Sequence, residues 1–367
     1  MGDPTGPAPL HIGIDARELL GQPTGVGRYL TELLRAWSRT ADLPHRFTLF
    51  YPGSAPRWTV SLGPRFAPIV DPATHAGTWW EQMRLPRLVA RAGVDVLFSP
   101  AYTAPLRVAC PSVLFIHDLS FFAHPEWFRW REGARRRWLT KAAAQRARVV
   151  FTLSEFSAGE IERWIGVPRT RIRIVRPGSP PVPVESTSTR PPLVLFVGSL
   201  FNRRRIPELL AAFAQVASRV GGTRLTLVGD NRTTPRIDPM ALADSLGVGA
   251  RVEWRSYVPD EELERLYDSA RVFAFLSDYE GYAMTPMEAL AHGAPSVLLD
   301  TAVAREVYGS AARFVRPDVG EIAAVLIELL TDERARSALV SEGRRLMGLH
   351  TWQDAASLVR AAIEGAV

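Results

Sequence analysis

The chain has 367 residues, 47% of them apolar and 22% charged, which suits a globular protein of two ordinary domains and excludes a disordered or fibrous one. Its formal charge of +6 favours an anionic partner: a phosphate-bearing ligand, nucleic acid or an acidic membrane face. Cys110 is the sole cysteine, which excludes an intramolecular disulfide framework and fits a reducing compartment.

His11–Ala16 reads as a first strand. A loop with Gly21, Gly25 and Gly27 follows, then apolar residues at helical spacing from Tyr29 to Trp37. Strand, glycine loop and helix make a phosphate-binding layout, although Gly25-Val26-Gly27 lacks the third glycine of a dinucleotide fingerprint and a plain tight turn fits as well. Strands follow at Phe47–Tyr51, Val94–Phe98, Ser112–Ile116 and Val149–Leu153, most of them separated by helical patterns. This half therefore reads as βαβ units around a parallel sheet. The third of these strands ends in His117-Asp118. A histidine after a buried strand is more often a satisfied core residue, but two polar residues at a strand's C-terminal edge point to the ligand crevice of an open sheet. Asp118 is placed to orient the imidazole by holding one ring nitrogen. No G-x-S-x-G elbow supports a hydrolase.

Residues 126–148 are basic with interleaved aromatics, among them Trp127, Phe128, Trp130, Trp138 and Arg135–Arg137. Three readings stand: a solvated helix with its tryptophans in the core, an interfacial helix on anionic lipid, or a nucleic-acid surface. The last is weakest, because no nucleic-acid-binding motif accompanies the charge. Ser154 reads as a helix cap, and that helix ends at Gly166-Val167-Pro168. The Pro-, Ser- and Thr-rich stretch 179–192 reads as a linker between an N-terminal domain, 1–178, and a second domain, 193–350.

The second domain opens with strand Leu193–Val197. Gly198, Ser199 and the run Arg203-Arg204-Arg205 follow it, a crowding of charge that an anion relieves. Asp260 reads as the cap of a helix through Leu263, Leu266 and Tyr267. The strand Val272–Leu276 leads into Ser277–Glu288, and a helix then runs to a stop at Gly293. Glu280 and Glu288 thus flank a strand-to-helix turn. A lone first-turn glutamate does no more than complement a helix dipole. Two carboxylates beside a helix N-terminus suit a ligand with phosphates in the middle and polyols at both ends. Amphipathic helices close the chain, the last from Trp352.

Glu280-Gly281-Tyr282-Ala283-Met284-Thr285-Pro286-Met287-Glu288-Ala289 resembles the E-x7-E signature of glycosyltransferase family 4, with Ala283 where the second glycine usually sits and Thr285 where proline is common. Gly13-Ile14-Asp15-Ala16-Arg17 with Thr24-Gly25-Val26-Gly27-Arg28-Tyr29, the Phe115–Leu119 phrase and the stretch from Ser154 to Gly178 are also similar to that family. The resemblance implies an α/β GT-B fold: two Rossmann-like domains with parallel sheets facing a central cleft, and a final helix, 351–367, crossing back to the first domain. It implies hexose transfer from a nucleotide diphosphate sugar, with retention, to a glycan or lipid-linked acceptor in polysaccharide or glycoconjugate biosynthesis. Glu280 would meet the donor sugar's hydroxyls and Glu288 the ribose. Arg203 and Arg204, beside Ser199, would grip the diphosphate with the helix start at Gly281, Ala283, Met284 and Thr285. Tyr257 and Val258 would meet the nucleobase, Gly25 and Gly27 the phosphates and acceptor, and His117 the transferred sugar. Mannose from a guanosine donor is the sugar this style of N-terminus suggests. No cofactor is expected, and no metal, because arginines can replace one and no D-x-D pair occurs. Met1–Pro4 begins no basic-then-apolar leader and no apolar run nears the ~20 residues that span a bilayer. A cytoplasmic protein is expected, with any membrane contact peripheral, through 126–148. The alternatives are a nucleotide-sugar epimerase on the same architecture and a non-catalytic basic nucleic-acid-binding protein.

Overall fold

The computed structural model describes residues 8–21, 25–72, 77–181 and 190–367. Met1–Pro4, Thr24 and residues 182–189 of the linker lie outside them. The chain divides into two compact units, one running to Gly178 and taking in Thr351–Val367, the other Ser179–His350.

Unit 1 holds a seven-stranded parallel sheet of β1 (His11–Asp15), β2 (Arg46–Pro52), β3 (Phe66–Asp71), β4 (Val96–Ser99), β5 (Ser112–Phe115), β6 (Val149–Thr152) and β7 (Ile172–Ile174), in the order 3-2-1-4-5-6-7. The short apolar runs are buried on both faces, as a parallel sheet between helical layers requires. β3 carries no such run. It is an edge strand with Pro68 in its middle and only its first and last residues buried, which is why its sequence does not announce a strand. The helices are α1 (Gly25–Ser38), α2 (Leu85–Ala92), α3 (Ser120–Ala123), α4 (Trp130–Arg146) and α5 (Glu155–Ile165).

Strand register sorts these helices into layers. Phe98, Val113 and Phe115 share one face, and α1 covers it: Trp37 meets Phe98 and Tyr29 meets Phe115. Leu97, Leu114 and Val150 share the other face. Leu97 packs with Leu85 and Val89 of α2, and Leu114 and Val150 pack with Ala143 of α4 and Ile161 of α5. So α2, α4 and α5 form a single layer.

Unit 2 holds a six-stranded parallel sheet of β8 (Leu193–Val197), β9 (Arg224–Val228), β10 (Val252–Arg255), β11 (Val272–Phe275), β12 (Ser296–Leu299) and β13 (Ala312–Val315), in the order 10-9-8-11-12-13. Its helices are α6 (Ile206–Arg219), α7 (Pro239–Ser245), α8 (Asp260–Ser269), α9 (Thr285–Ala291), α10 (Ala302–Tyr308), α11 (Val319–Thr331) and α12 (Glu333–Met347). The chain leaves β8 toward β9 and leaves β11 toward β12, in opposite directions. The two strands are neighbours, so their C-terminal ends open a crevice at the topological switch point.

The last helix, α13 (Trp352–Glu364), belongs to unit 1. A capping box of Thr351 and Asp354 starts it, Trp37 Nε1 donates to the Ala356 carbonyl at 2.9 Å, and Trp352 meets Tyr29 edge-on. Gly178 allows this contact, because a Cβ there would lie 2.2 Å from the Trp352 main-chain nitrogen. Gly178→Ala is therefore expected to lower stability by roughly 1–3 kcal/mol, measured as a lower midpoint in denaturant unfolding.

Candidate functional site

The crevice of unit 2 is built from the loops after β8 and β11. Gly198 has φ +146°, and a Cβ on it would fall 1.9 Å from Arg204 Nη1. The glycine lets Arg204 fold back over its own strand end. There Arg204 Nη1 donates to the Ser199 carbonyl at 3.2 Å, its Nε and Nη2 reach Glu280 Oε1 at 3.3 and 3.2 Å, and its guanidinium lies over Phe275. Ser277 Oγ donates to the same Glu280 oxygen at 2.8 Å. All these donors use Oε1. Among the described residues Glu280 Oε2 has no hydrogen bond, so it remains open to accept one.

The three arginines divide their work. Arg205, in the left-handed region at φ 47°, is pinned by Asp278 and Glu208 at 2.7 Å each. The Arg203 carbonyl accepts from the Asp278 amide at 2.8 Å, which laces the two loops together. The Arg203 guanidinium lies over Phe201 at 4.3 Å with its Nε 3.8 Å from Glu280 Oε1. Its side chain is only 14% exposed, and its buried Nε has no hydrogen-bond partner.

Beyond Glu280 the backbone turns sharply. Ala283 sits at φ +65°, a conformation that suits glycine. The Tyr308 hydroxyl donates to the Ala283 carbonyl and holds the turn. Burial pushes the Tyr308 phenol well up, so it stays protonated and able to donate. Met284 caps α9 and Thr285 opens it. With seven residues, α9 has only a small dipole, and the arginines are the main positive charge here. Glu288 Oε2 accepts from Tyr267 at 2.7 Å. A small concavity of about 20 Å³ is lined by Phe275, Glu280, Tyr282 and Tyr308. Tyr257 is exposed and Val258 buried in the loop between β10 and α8. Asp260 is not the cap of α8: Pro259 holds that position, and Asp260 lies inside the first turn with two more acids.

Gly25, Gly27, His117 and Asp118 lie in unit 1. Gly25 and Gly27 are not loop residues. Gly25 opens α1, and Gly27 is buried in its first turn with its carbonyl accepting from Thr31 Oγ1 at 2.8 Å. His117 is largely buried, 6% exposed, and is stacked on Phe115 at 4.5 Å with Tyr29 and Tyr102 against it. Burial pushes its imidazole down to about 4, against weaker opposing effects of the Pro100 carbonyl and the Asp118 charge. The ring is neutral near pH 7, so Nε2 carries the proton it gives to Pro100 O at 2.8 Å and Nδ1 is left as an acceptor. The orienting group is thus a main-chain carbonyl. Asp118, expected in that role, accepts from the Ser120 amide and the Tyr102 hydroxyl, both at 2.8 Å. A carboxylate that serves a turn is committed to the backbone beside it.

Residues 23–181 match the model for Glycosyltransferase Family 4 and residues 183–346 that for Glycosyl transferases group 1, which together take in most of the chain. The chain belongs to the family 4 glycosyltransferases. It is 28% identical over 278 residues to the O-antigen chain mannosyltransferase B of Escherichia coli, covering 71% of each chain. It is 29% identical over 255 residues to the MMP alpha-(1->4)-mannosyltransferase of Mycolicibacterium hassiacum, covering 65% of this chain and 60% of that one. Its fold matches that of Anabaena Alr3699/HepE, crystallised with UDP-glucose, at TM-score 0.74 and 17% identity, covering 97% of this chain and 99% of that one. The fold is GT-B, with two parallel-sheet α/β domains. Membership sets aside the epimerase and the nucleic-acid-binding protein.

Three contributors to the glycosyltransferase's crevice escaped the sequence reading. Ser277 sat inside the quoted stretch without a role, Tyr267 reads as a helix-face residue, and Tyr308 carries no local signal. Their hydroxyls act on atoms far along the chain, which periodicity does not reveal.

Two predictions follow from this geometry. Ala283→Gly removes a left-handed alanine and is expected to stabilise the enzyme by up to ~1 kcal/mol in thermal unfolding; destabilisation would show that the turn carries no strain. For His117, the unfolded chain binds the proton at higher pH than the folded one. Stability should therefore fall as pH drops from 6.5 toward 4, by about 3 kcal/mol over the window. His117→Gln should flatten that part of a pH–stability curve, and an unchanged slope would place the titration elsewhere.

Proposed function

We propose that this glycosyltransferase moves a hexose, mannose in the first instance, from a nucleotide diphosphate sugar to a glycan or lipid-linked acceptor, with retention of anomeric configuration. The setting is polysaccharide or glycoconjugate synthesis in the cytoplasm, at the inner face of the membrane. One observation carries the reading. Arg203 and Arg204 sit together, each less than 15% exposed, at the switch point of a parallel sheet, against the single carboxylate of Glu280. A half-buried guanidinium with unused donors is costly unless an anion completes it. A diphosphate fits the forked donors of two arginines.

In the proposed reaction the bond between the sugar's C1 and the diphosphate oxygen breaks, and the acceptor hydroxyl oxygen bonds to C1 on the same face. Arg203 and Arg204 stabilise the charge that develops on the leaving diphosphate, as preorganised donors do. The acceptor proton passes to the leaving phosphate. Glu280 uses its open Oε2 to hold a sugar hydroxyl, while Ser277 and Arg204 fix its other oxygen. Glu288, held by Tyr267, takes the ribose. His117 offers Nδ1 to a hydroxyl of the sugar. Two guanidiniums supply the charge a divalent ion supplies elsewhere, so no metal is required. The mannosyltransferase names of two relatives and the UDP-glucose bound by the structural neighbour support a nucleotide-sugar donor and suggest the hexose.

Thermal unfolding with UDP, GDP, ADP and dTDP in the presence of EDTA tests this. A diphosphate at a hundred times its dissociation constant should stabilise by roughly 2.7 kcal/mol. The shift should survive EDTA and vanish in Arg203→Ala. No shift with any diphosphate, from folded protein, would sink the reading.

A further inference from the structure

We propose that the layer of α2 and α4 in unit 1 is a docking surface for an anionic lipid bilayer. At 100° per residue, Trp130, Trp138, Arg131, Arg135, Lys141 and Arg146 fall within an arc of about 160° on α4. All six are exposed, the tryptophans at 74% and 63%. The opposite arc, with Gly133, Leu139, Thr140, Ala143 and Ala144, is buried against the sheet. Glu132, the helix's one acid, is also exposed but falls about 40° beyond that arc. The indoles stand about 12 Å apart along the helix.

The structure corrects which aromatics take part. Phe128 packs into the core beneath α4, and the half-buried Trp127 stacks on His124 at 3.9 Å. α2, in the same layer, adds a second set. Trp79 and Met83, just ahead of it, are 60% and 48% exposed, and Arg87 and Arg91 are exposed beyond them. Glu81, the acid of this segment, is buried against Arg17. Every tryptophan more than half exposed among the described residues therefore lies on this one layer.

The cations argue for a partner. None of Arg87, Arg91, Arg131, Arg135, Lys141 and Arg146 has an ion pair among the described residues. Other surface arginines do find acids, as Arg305 with Asp300 and Arg313 with Glu328. Exposed indoles between unpaired arginines match the headgroup region, where the ring enters the apolar boundary and the guanidinium stays among phosphates. A single-stranded nucleic acid is held in a charged groove with its bases stacked, whereas this layer presents the outer sides of helices. The surface deepens the lipid-linked acceptor of the proposed function, but vesicle binding needs no turnover and is read independently of it.

The test is flotation of the full chain with phosphatidylcholine vesicles, with and without phosphatidylglycerol. Binding should require the anionic lipid and weaken with salt. Brominated acyl chains should quench part of the tryptophan emission. Trp130→Ala with Trp138→Ala should remove most of that quenching, and Arg131→Glu with Arg135→Glu should weaken binding about tenfold or more. Both variants should keep the wild-type melting temperature and any nucleotide-induced shift. Absence of binding, equal binding to neutral vesicles, or binding untouched by either variant would overturn the proposal. So would displacement from vesicles by a single-stranded oligonucleotide that binds more tightly.

Discussion

The crevice of unit 2 depends on one electrostatic arrangement: two guanidiniums against one carboxylate, all largely removed from water. A half-buried ion pair is weak support for stability, because desolvation consumes much of the Coulombic gain. Here the count of charges is also unequal. The surrounding devices make sense as ways of holding that imbalance in place. Gly198 makes room for Arg204, Phe201 and Phe275 shelve the guanidiniums, and Ser277 fixes the shared carboxylate oxygen. Arg205 ties the two loops through Asp278. This much local structure serves to hold two arginines side by side at the strand ends, the arrangement on which the proposed diphosphate site rests.

Backbone conformation supports the same view. The non-glycine residues with positive φ are Tyr102, Arg205 and Ala283 among the described residues. Arg205 closes the arginine turn, Ala283 follows Glu280, and Tyr102 lies against His117. Left-handed residues cost energy and persist where the surroundings over-determine them, which is commonly at ligand sites. Each has such support: Arg205 its two acids, Ala283 the Tyr308 hydroxyl, and Tyr102 its bond to Asp118.

Much of this was legible in the sequence, for identifiable reasons. Parallel strands are continuous apolar runs, and the candidate site residues follow them, so Arg203, Glu280 and His117 stand out by their place after Val197, Leu276 and Ile116. What escaped was of two kinds. β3 is an edge strand broken by Pro68, β12 and β13 are four residues long, and none of the three shows a strong period. The hydrogen-bond partners are set by tertiary contact. Nothing beside His117 says that Pro100, not Asp118, will hold its ring. Nothing beside Glu280 says that Tyr308, 28 residues on, will brace the following turn.

The positive charge, read at first as one property of the chain, separates into two kinds of site. Arg203 and Arg204 are enclosed, shelved on aromatic rings and few, which suits a small anion whose geometry must be fixed. The cations of α2 and α4 are exposed and spread between indoles, which suits a fluid anionic plane where geometry need not be fixed. Salt should therefore act on them differently. Charges open to solvent are screened within about 10 Å at ordinary ionic strength, while enclosed ones are screened far less. On the two proposals, nucleotide binding and lipid binding would then respond unequally to added salt, the second falling first, because the cations assigned to the nucleotide are enclosed and those assigned to the lipid are exposed.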